Sequence, residues 1–371
     1  GTESPDLVFP LQSLRQYGRI ITVAILGLIS FYIFKKKKGQ RSQSVDDVFA
    51  IKNALLVIQL LVFFKNLVYG DIITACLTFT IFLLVYLIFY RGFAFWLIRE
   101  KYFKRSVFSF LLAIVVFNAM ASYQSLFDPT AMSFVQSRFM GMTENPQHAA
   151  VLLTSGIPLF LAFIIDTSKR WKKTLLVIGL FWTIYYLVLT GSRTGMIMAF
   201  VAIMIFLSGY RGAGIKWLVM GSLVVFVFVS ITDYNPAGAV DETVLERYGS
   251  TENTRESVIK IQMRQFRENM LFGADPRGDR VGFAENSYLA VAASLGLLGL
   301  APLFFMIKGI IKLIFSLLRS ASSSRNKHFH YLVIAGLVSL LIGAFAEAYL
   351  LGSVTWPIIL LLCYVHWGYY L

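Results

Sequence analysis

Long apolar runs alternate with short polar connectors along nearly the whole chain, and this alternation predicts helices that cross a bilayer. A run of about 17–20 apolar residues reaches across the hydrocarbon core as a helix. A helix also satisfies its own backbone hydrogen bonds there. About eleven spans are predicted, near 19–34, 53–69, 72–90, 106–122, 149–166, 174–190, 195–209, 216–232, 287–307, 329–346 and 354–370. The runs are continuous and lack the two-residue alternation of a membrane β-barrel. The expected fold is an all-α integral membrane protein. It is a polytopic bundle of about 11–12 transmembrane helices forming a single membrane domain over 1–371.

The connectors predict an orientation. Lys and Arg gather in "KKKKGQR", in 91–105, in "KRWKK", in the turn with Arg211 and Lys216, and in 319–327. Every second connector is basic, which assigns all five to the cytoplasmic face. Gly70-Asp71, 123–148, "TGSRTG", the long loop 233–286 and "EAYLLGS" then face outward. The long loop is read as periplasmic, and it holds ten of the chain's twenty acidic residues. An odd span count puts the N-terminus outside unless a further helix precedes Gly1. The opening "GTESPDLVF" is polar and does not read as a cleavable leader.

Composition adds little to this picture. The chain is 57% apolar over 371 residues, with a mean hydropathy of +0.69, too apolar to hide its surface in a soluble core. The net charge of +14 is explained by the cytoplasmic loops, so nucleic acid is not an expected partner. Cys76 and Cys363 fall in predicted spans and fit no metal spacing. HExxH, paired-Cys, DxD-like and P-loop patterns are lacking. No metal or cofactor is therefore expected, and energy comes from an activated substrate or an ion gradient.

Candidate chemistry collects on the outward connectors. Arg193 sits in "LTGSRTGM", where flanking glycines permit a tight turn and open amides to a ligand. Such an arginine either binds phosphate bidentately or snorkels to headgroups. Arg138 and Asn145 lie in "SRFMGMTENPQHAAVLL", where Asn145-Pro146 starts the next helix. In "NTRESVIKIQMRQFRENML", Ile259, Met263, Phe266 and Met270 form an apolar stripe at helical spacing. Lys260, Arg264 and Arg267 share another face, and Arg255 lies in the first turn. That helix either rests on the interface or lines a site. Glu285 and Asn286 stand at the entrance to "AENSYLAVAASLGLLGL", as a helix cap or as site residues. His328, His330 and His366 read as interfacial, and Glu347 as an arginine partner or a surface group.

The order "LTGSRTG", then "TRESVIKIQMRQFRENMLFGADP", then "ENSYLAVAASLGLLGL" resembles the O-antigen polymerase and O-antigen ligase family of bacterial inner membranes. In that family a glycine-flanked Arg follows a span, and a second Arg opens an amphipathic helix. A segment of the form (H/E/D)-N-S-Y-L…G-x-x-G then re-enters the membrane. The resemblance covers 138–300. It implies a metal-independent glycosyltransferase that takes glycan from an undecaprenyl-pyrophosphate carrier to an acceptor hydroxyl on the periplasmic side.

Carried over by position, Arg193 and Arg255 contact the pyrophosphate, and Glu285 holds the place of the ligases' His. Arg138, Asn145, Arg264, Asn286 and Tyr288 are the expected substrate-binding residues. The Glu before Asn-Ser is closer to the polymerases, and "FGADPRG" is a loose match to the family's "PxxGxG". The implied partners are lipid-linked donor and acceptor, membrane lipids and a chain-length regulator. The alternatives are a ligase acting on lipid A–core and a polysaccharide or lipid-carrier transporter. Transport predicts charges deep in several spans and broken helices near the midplane.

Overall fold

The structure, a computed structural model, describes residues 7–36, 46–69, 72–93, 100–127, 133–135, 138–143, 145–209, 256–275, 286–351 and 354–371. The first helices are α1 Leu11–Lys36, α2 Asp46–Tyr69, α3 Ile72–Leu87 with a π-helical turn at Ile88–Phe93, and α4 Glu100–Phe127. Strands β1 Ser133–Val135 and β2 Arg138–Phe139 then pair antiparallel. There follow α5 Pro146–Asp166, α6 Arg170–Leu189, α7 Arg193–Ser208 and α8 Glu256–Glu268. The chain closes with α9 Ser287–Ala321, α10 Lys327–Gly343 and α11 Trp356–Tyr370. The predicted span 216–232 and much of 233–286 lie outside the described residues.

Among the described residues, five helical segments are long and apolar enough to cross a bilayer. They are Ala50–Tyr69, Tyr102–Phe127, Pro146–Asp166, Arg170–Leu189 and Ser287–Ala321. A sixth span forms if Leu11–Gly18 and Ile20–Tyr32, bent by 51°, act as one. Ala75–Tyr90, Arg193–Ser208 and Lys327–Gly343 are apolar but shorter. Sixteen residues of helix, as in α7, rise about 24 Å, short of a core about 30 Å thick. Among the described residues the apolar helices are thus of uneven length. The architecture is that of an all-α membrane protein. α6 turns Trp171, Leu175, Ile178 and Phe181 outward at helical spacing, each more than half exposed, a face suited to lipid.

The chain forms two compact units. One is drawn from Gly1–Arg19, Lys104–Glu252 and Ser323–Ser339. Its core helix is α5, whose apolar window is 78% buried against 22% for α6. Asn145 Oδ1 caps α5 by accepting from Gln147 N at 2.8 Å, with Pro146 at the first helical position, the start that Asn-Pro predicts. At the far end of α5, Lys104 Nζ lies 2.9 Å from the Asp166 carboxylate and His328 Nε2 lies 3.5 Å from it.

The second unit is drawn from Ile20–Phe103, Asn253–Ser322 and Leu340–Leu371. Within it α2 packs along α9, and α8 and α11 pack against α9. His366 is buried and packs against Phe89 and Phe93, with ring centroids at 5.5 and 5.8 Å. His328 and His330 in the other unit are buried as well. All three histidines, expected near the interface, have their side chains buried against protein.

α9 leaves helical geometry at Gly296, where φ is 60° and ψ −151°. A break inside a span strands amides and carbonyls that lipid cannot satisfy. Here four such groups find partners in the same unit. Leu297 N donates to Met270 O at 2.9 Å, and Leu298 N to Leu271 O at 3.4 Å. Ala293 O accepts from Ala274 N at 2.7 Å. Ser294 O accepts from Lys65 Nζ at 2.7 Å, and the same ammonium donates to Gly273 O at 2.8 Å and Ala274 O at 2.6 Å. An ammonium has three hydrogens, and Lys65 places all three on carbonyls. Gly273, at φ 73°, faces the break: a Cβ there would stand 2.2 Å from the Ser294 carbonyl carbon. A Cβ on Gly296 would stand 2.5 Å from that of Leu271.

Candidate functional site

The turn "TGSRTG" is built in four steps. Thr190 ends α6, and Gly191 takes a left-handed φ of 56° that reverses the chain. Ser192 caps α7, its Oγ accepting from Gly195 N at 3.1 Å. Arg193 is the first residue of α7 and is exposed. The second glycine does not open amides to a ligand. A Cβ on Gly195 would stand 2.6 Å from Ala150 Cβ, and Thr154 Oγ1 donates to Gly195 O at 3.0 Å. Gly195 therefore lets α7 close on α5.

Arg138 joins this turn from the β-hairpin. It is 6% exposed, and its Nε donates to Thr190 O at 2.7 Å. The neighbouring Phe139 stacks on Tyr186 at 4.5 Å, which fixes the strand against α6. The structure so brings two predicted arginines to one helix entry, Arg138 buried beneath it and Arg193 on its surface. The first-turn amides and the helix dipole favour an anion at such a position. Asn145, expected to bind substrate, uses its side-chain oxygen to cap α5.

In the second unit the "NSY" triplet is tied down residue by residue. Asn286 Oδ1 accepts from Leu289 N at 3.0 Å and caps α9. Ser287 Oγ donates to Glu347 O at 2.6 Å and accepts from Tyr349 N at 3.0 Å, while Ser287 N donates to Ala344 O at 2.8 Å. Tyr288 OH donates to Leu341 O at 2.7 Å. The Glu347 side chain is buried, which removes the surface alternative for that residue. Residues 286–288 and 344–349 are thus tied into one anchored cluster. Arg255 and Glu285 lie outside the described residues.

α8 is amphipathic, with its buried line displaced from the predicted stripe. Ile259 and Phe266 are half-buried, but Met263 and Met270 are exposed and Gln262 is buried. The face that docks is the one α9 meets, and it centres on Gln262. Arg264 is exposed, and Lys260 pairs with Glu256 at 2.6 Å on the exposed side. Among the described residues no three His, Cys, Asp or Glu side chains gather as a metal-holding group.

Sequence reasoning passed over Lys65, Ser287 and Tyr349. A signal existed for the first: a lysine inside the apolar run "LVFFKNLVY" demands partners. Nothing comparable marked Ser287 or Tyr349. No known protein family matches the chain, and no curated protein matches it.

Proposed function

We propose that the chain is a membrane glycosyltransferase of the polymerase type, joining oligosaccharide repeat units carried on undecaprenyl pyrophosphate at the outer face of the bacterial inner membrane. The observation that supports this most is the helix entry where Arg138 holds Thr190 O and Arg193 lies exposed three residues on. In the proposed reaction an acceptor hydroxyl oxygen attacks the anomeric carbon, and the bond from that carbon to the phosphate oxygen breaks. The electron pair leaves on the pyrophosphate, where Arg193 and Arg255 offset the growing charge. Glu285 takes the hydroxyl proton and later releases it to water. No metal is invoked.

The test is incubation of the purified chain with one defined lipid-linked repeat unit. A ladder of products supports polymerase; products only after lipid A–core is added assign a ligase instead. In the same assay Arg193→Ala is expected to lower the rate about 10²–10³-fold, the usual cost of losing a preorganised cationic or hydrogen-bonding group. Arg193→Lys is expected to recover little, because a point charge lacks the planar fork. Full activity in Arg193→Ala removes this residue from the mechanism.

The proposal includes eleven spans with "TGSRTG", 233–286 and "ENSY" on one outer face. A cysteine introduced at Ser250 is expected to react with an impermeant reagent from outside, and one at Gln40 to be protected. The reverse labelling overturns the orientation.

A transporter is the second reading, and the break in α9 at Gly296 favours it. The carbonyls at that break already accept from Lys65, which takes the place a transported cation would occupy. Substrate uptake by reconstituted vesicles without glycan synthesis decides for transport.

A further inference from the structure

The far end of α9 carries a feature the proposed chemistry does not use. α9 has 35 residues, and the stretch 297–321 alone rises about 37 Å, more than the bilayer core of about 30 Å. Its last turns therefore reach headgroup level at the end away from Asn286. Lys308, Lys312 and Arg319 fall at i, i+4 and i+11, which keeps them on one face of the helix. Ile311 and Phe315 interleave with them, 44% and 59% exposed. These residues line a cavity of about 700 Å³ that α11 flanks with Tyr369. That volume lies in the range of small-ligand sites, about 300–1,000 Å³. No Asp or Glu is among its lining residues.

We propose that this groove binds the headgroup of an anionic phospholipid. Lys312 and the Ser316 hydroxyl, one turn apart, meet the phosphate, while Lys308 and Arg319, about 6 and 10 Å along the axis on either side of Lys312, add to the positive field, and an acyl chain lies along Ile311 and Phe315. Cationic clusters beside a membrane helix recognise net negative headgroups in this way. The apolar neighbours on the same face select a lipid over a free anion. The inference is independent of the proposed glycosyl transfer, because it concerns the opposite end of α9 and is read by lipid binding alone.

The test uses the full chain in detergent micelles doped with phosphatidylglycerol or phosphatidylcholine, and in inorganic phosphate at matched ionic strength. Retained lipid is counted by native mass spectrometry and the thermal midpoint is recorded. Phosphatidylglycerol is expected to be retained and to raise the midpoint, while the other two do neither. The triple variant K308Q/K312Q/R319Q is expected to lose both effects while keeping its midpoint in phosphatidylcholine. If the triple variant does not fold, Lys312→Gln alone decides, with an expected drop in retention of about fivefold. Equal retention of both lipids, a rise with phosphate alone, or unchanged retention in the variants overturns the proposal.

Discussion

Gly296→Ala is expected to abolish folded protein, read as loss of the monodisperse peak of a fluorescent fusion in size-exclusion chromatography. An alanine there meets backbone on the facing segment, 2.5 Å from the carbonyl carbon and oxygen of Leu271. Backbone cannot rotate aside as a side chain can. The positive φ adds about 1–2 kcal/mol, and forcing atoms into a packed site typically adds about 1–3 kcal/mol. Separating the segments also strands the amides of Leu297 and Leu298 and the carbonyls of Ala293 and Ser294, at several kcal/mol for each group left in lipid. A margin of about 5–15 kcal/mol does not survive this sum. Gly27→Ala is the control, since nothing lies within 4 Å of a Cβ there, and it is expected to be neutral or mildly stabilising. Lys65→Met keeps the stem and removes three charge-assisted hydrogen bonds, so it is expected to fall between them, with a lowered thermal midpoint. Normal yield of Gly296→Ala refutes the close approach of the two segments.

The second large effect belongs to Glu285. In the proposed mechanism Glu285→Gln removes the proton acceptor and keeps the size of the side chain. The rate of polymer growth is expected to fall about 10²–10⁴-fold, with donor binding little changed because the arginines hold the pyrophosphate. An ordinary glutamate has a pKa near 4.3 and is a weak base at neutral pH. The role therefore requires desolvation by neighbours such as Phe283 and Tyr288. Asn286→Ala separates chemistry from architecture. It removes the cap on α9 and is expected to cost about 1 kcal/mol of stability, with a smaller loss of rate. Near-normal growth in Glu285→Gln ends the base assignment and leaves the arginines as the core of the mechanism.

Much of the helical order was legible because apolar runs and basic connectors are local signals. The run 149–166 became α5, and Asn145-Pro146 marked its start. The amphipathic helix in the long loop was readable from its 3.6-residue period, but the face that docks was not. Periodicity finds a stripe, whereas contact with α9 selected the line through Gln262. The tying of Ser287 to Glu347 O and Tyr349 N spans about 60 residues of sequence, and no local pattern encodes such a pairing. The same holds for the two glycines of "TGSRTG". Composition gave them one shared reason, but Gly191 turns the chain and Gly195 closes a helix contact.

The ammonium of Lys65 imposes an order on biogenesis. Its three acceptors are translated at least 208 residues later, which at about 5–20 residues per second is on the order of 10–40 s. Through that interval α2 stands in the membrane with a lysine whose partners do not yet exist. Lys65 is four residues from the end of the span Ala50–Tyr69, about 6 Å along the axis. Its flexible stem reaches that far, so the charge can wait at the headgroups. It is drawn inward only when the 270–275 segment and α9 arrive together. A nascent chain truncated before residue 270 is thus left with α2 inserted but not locked.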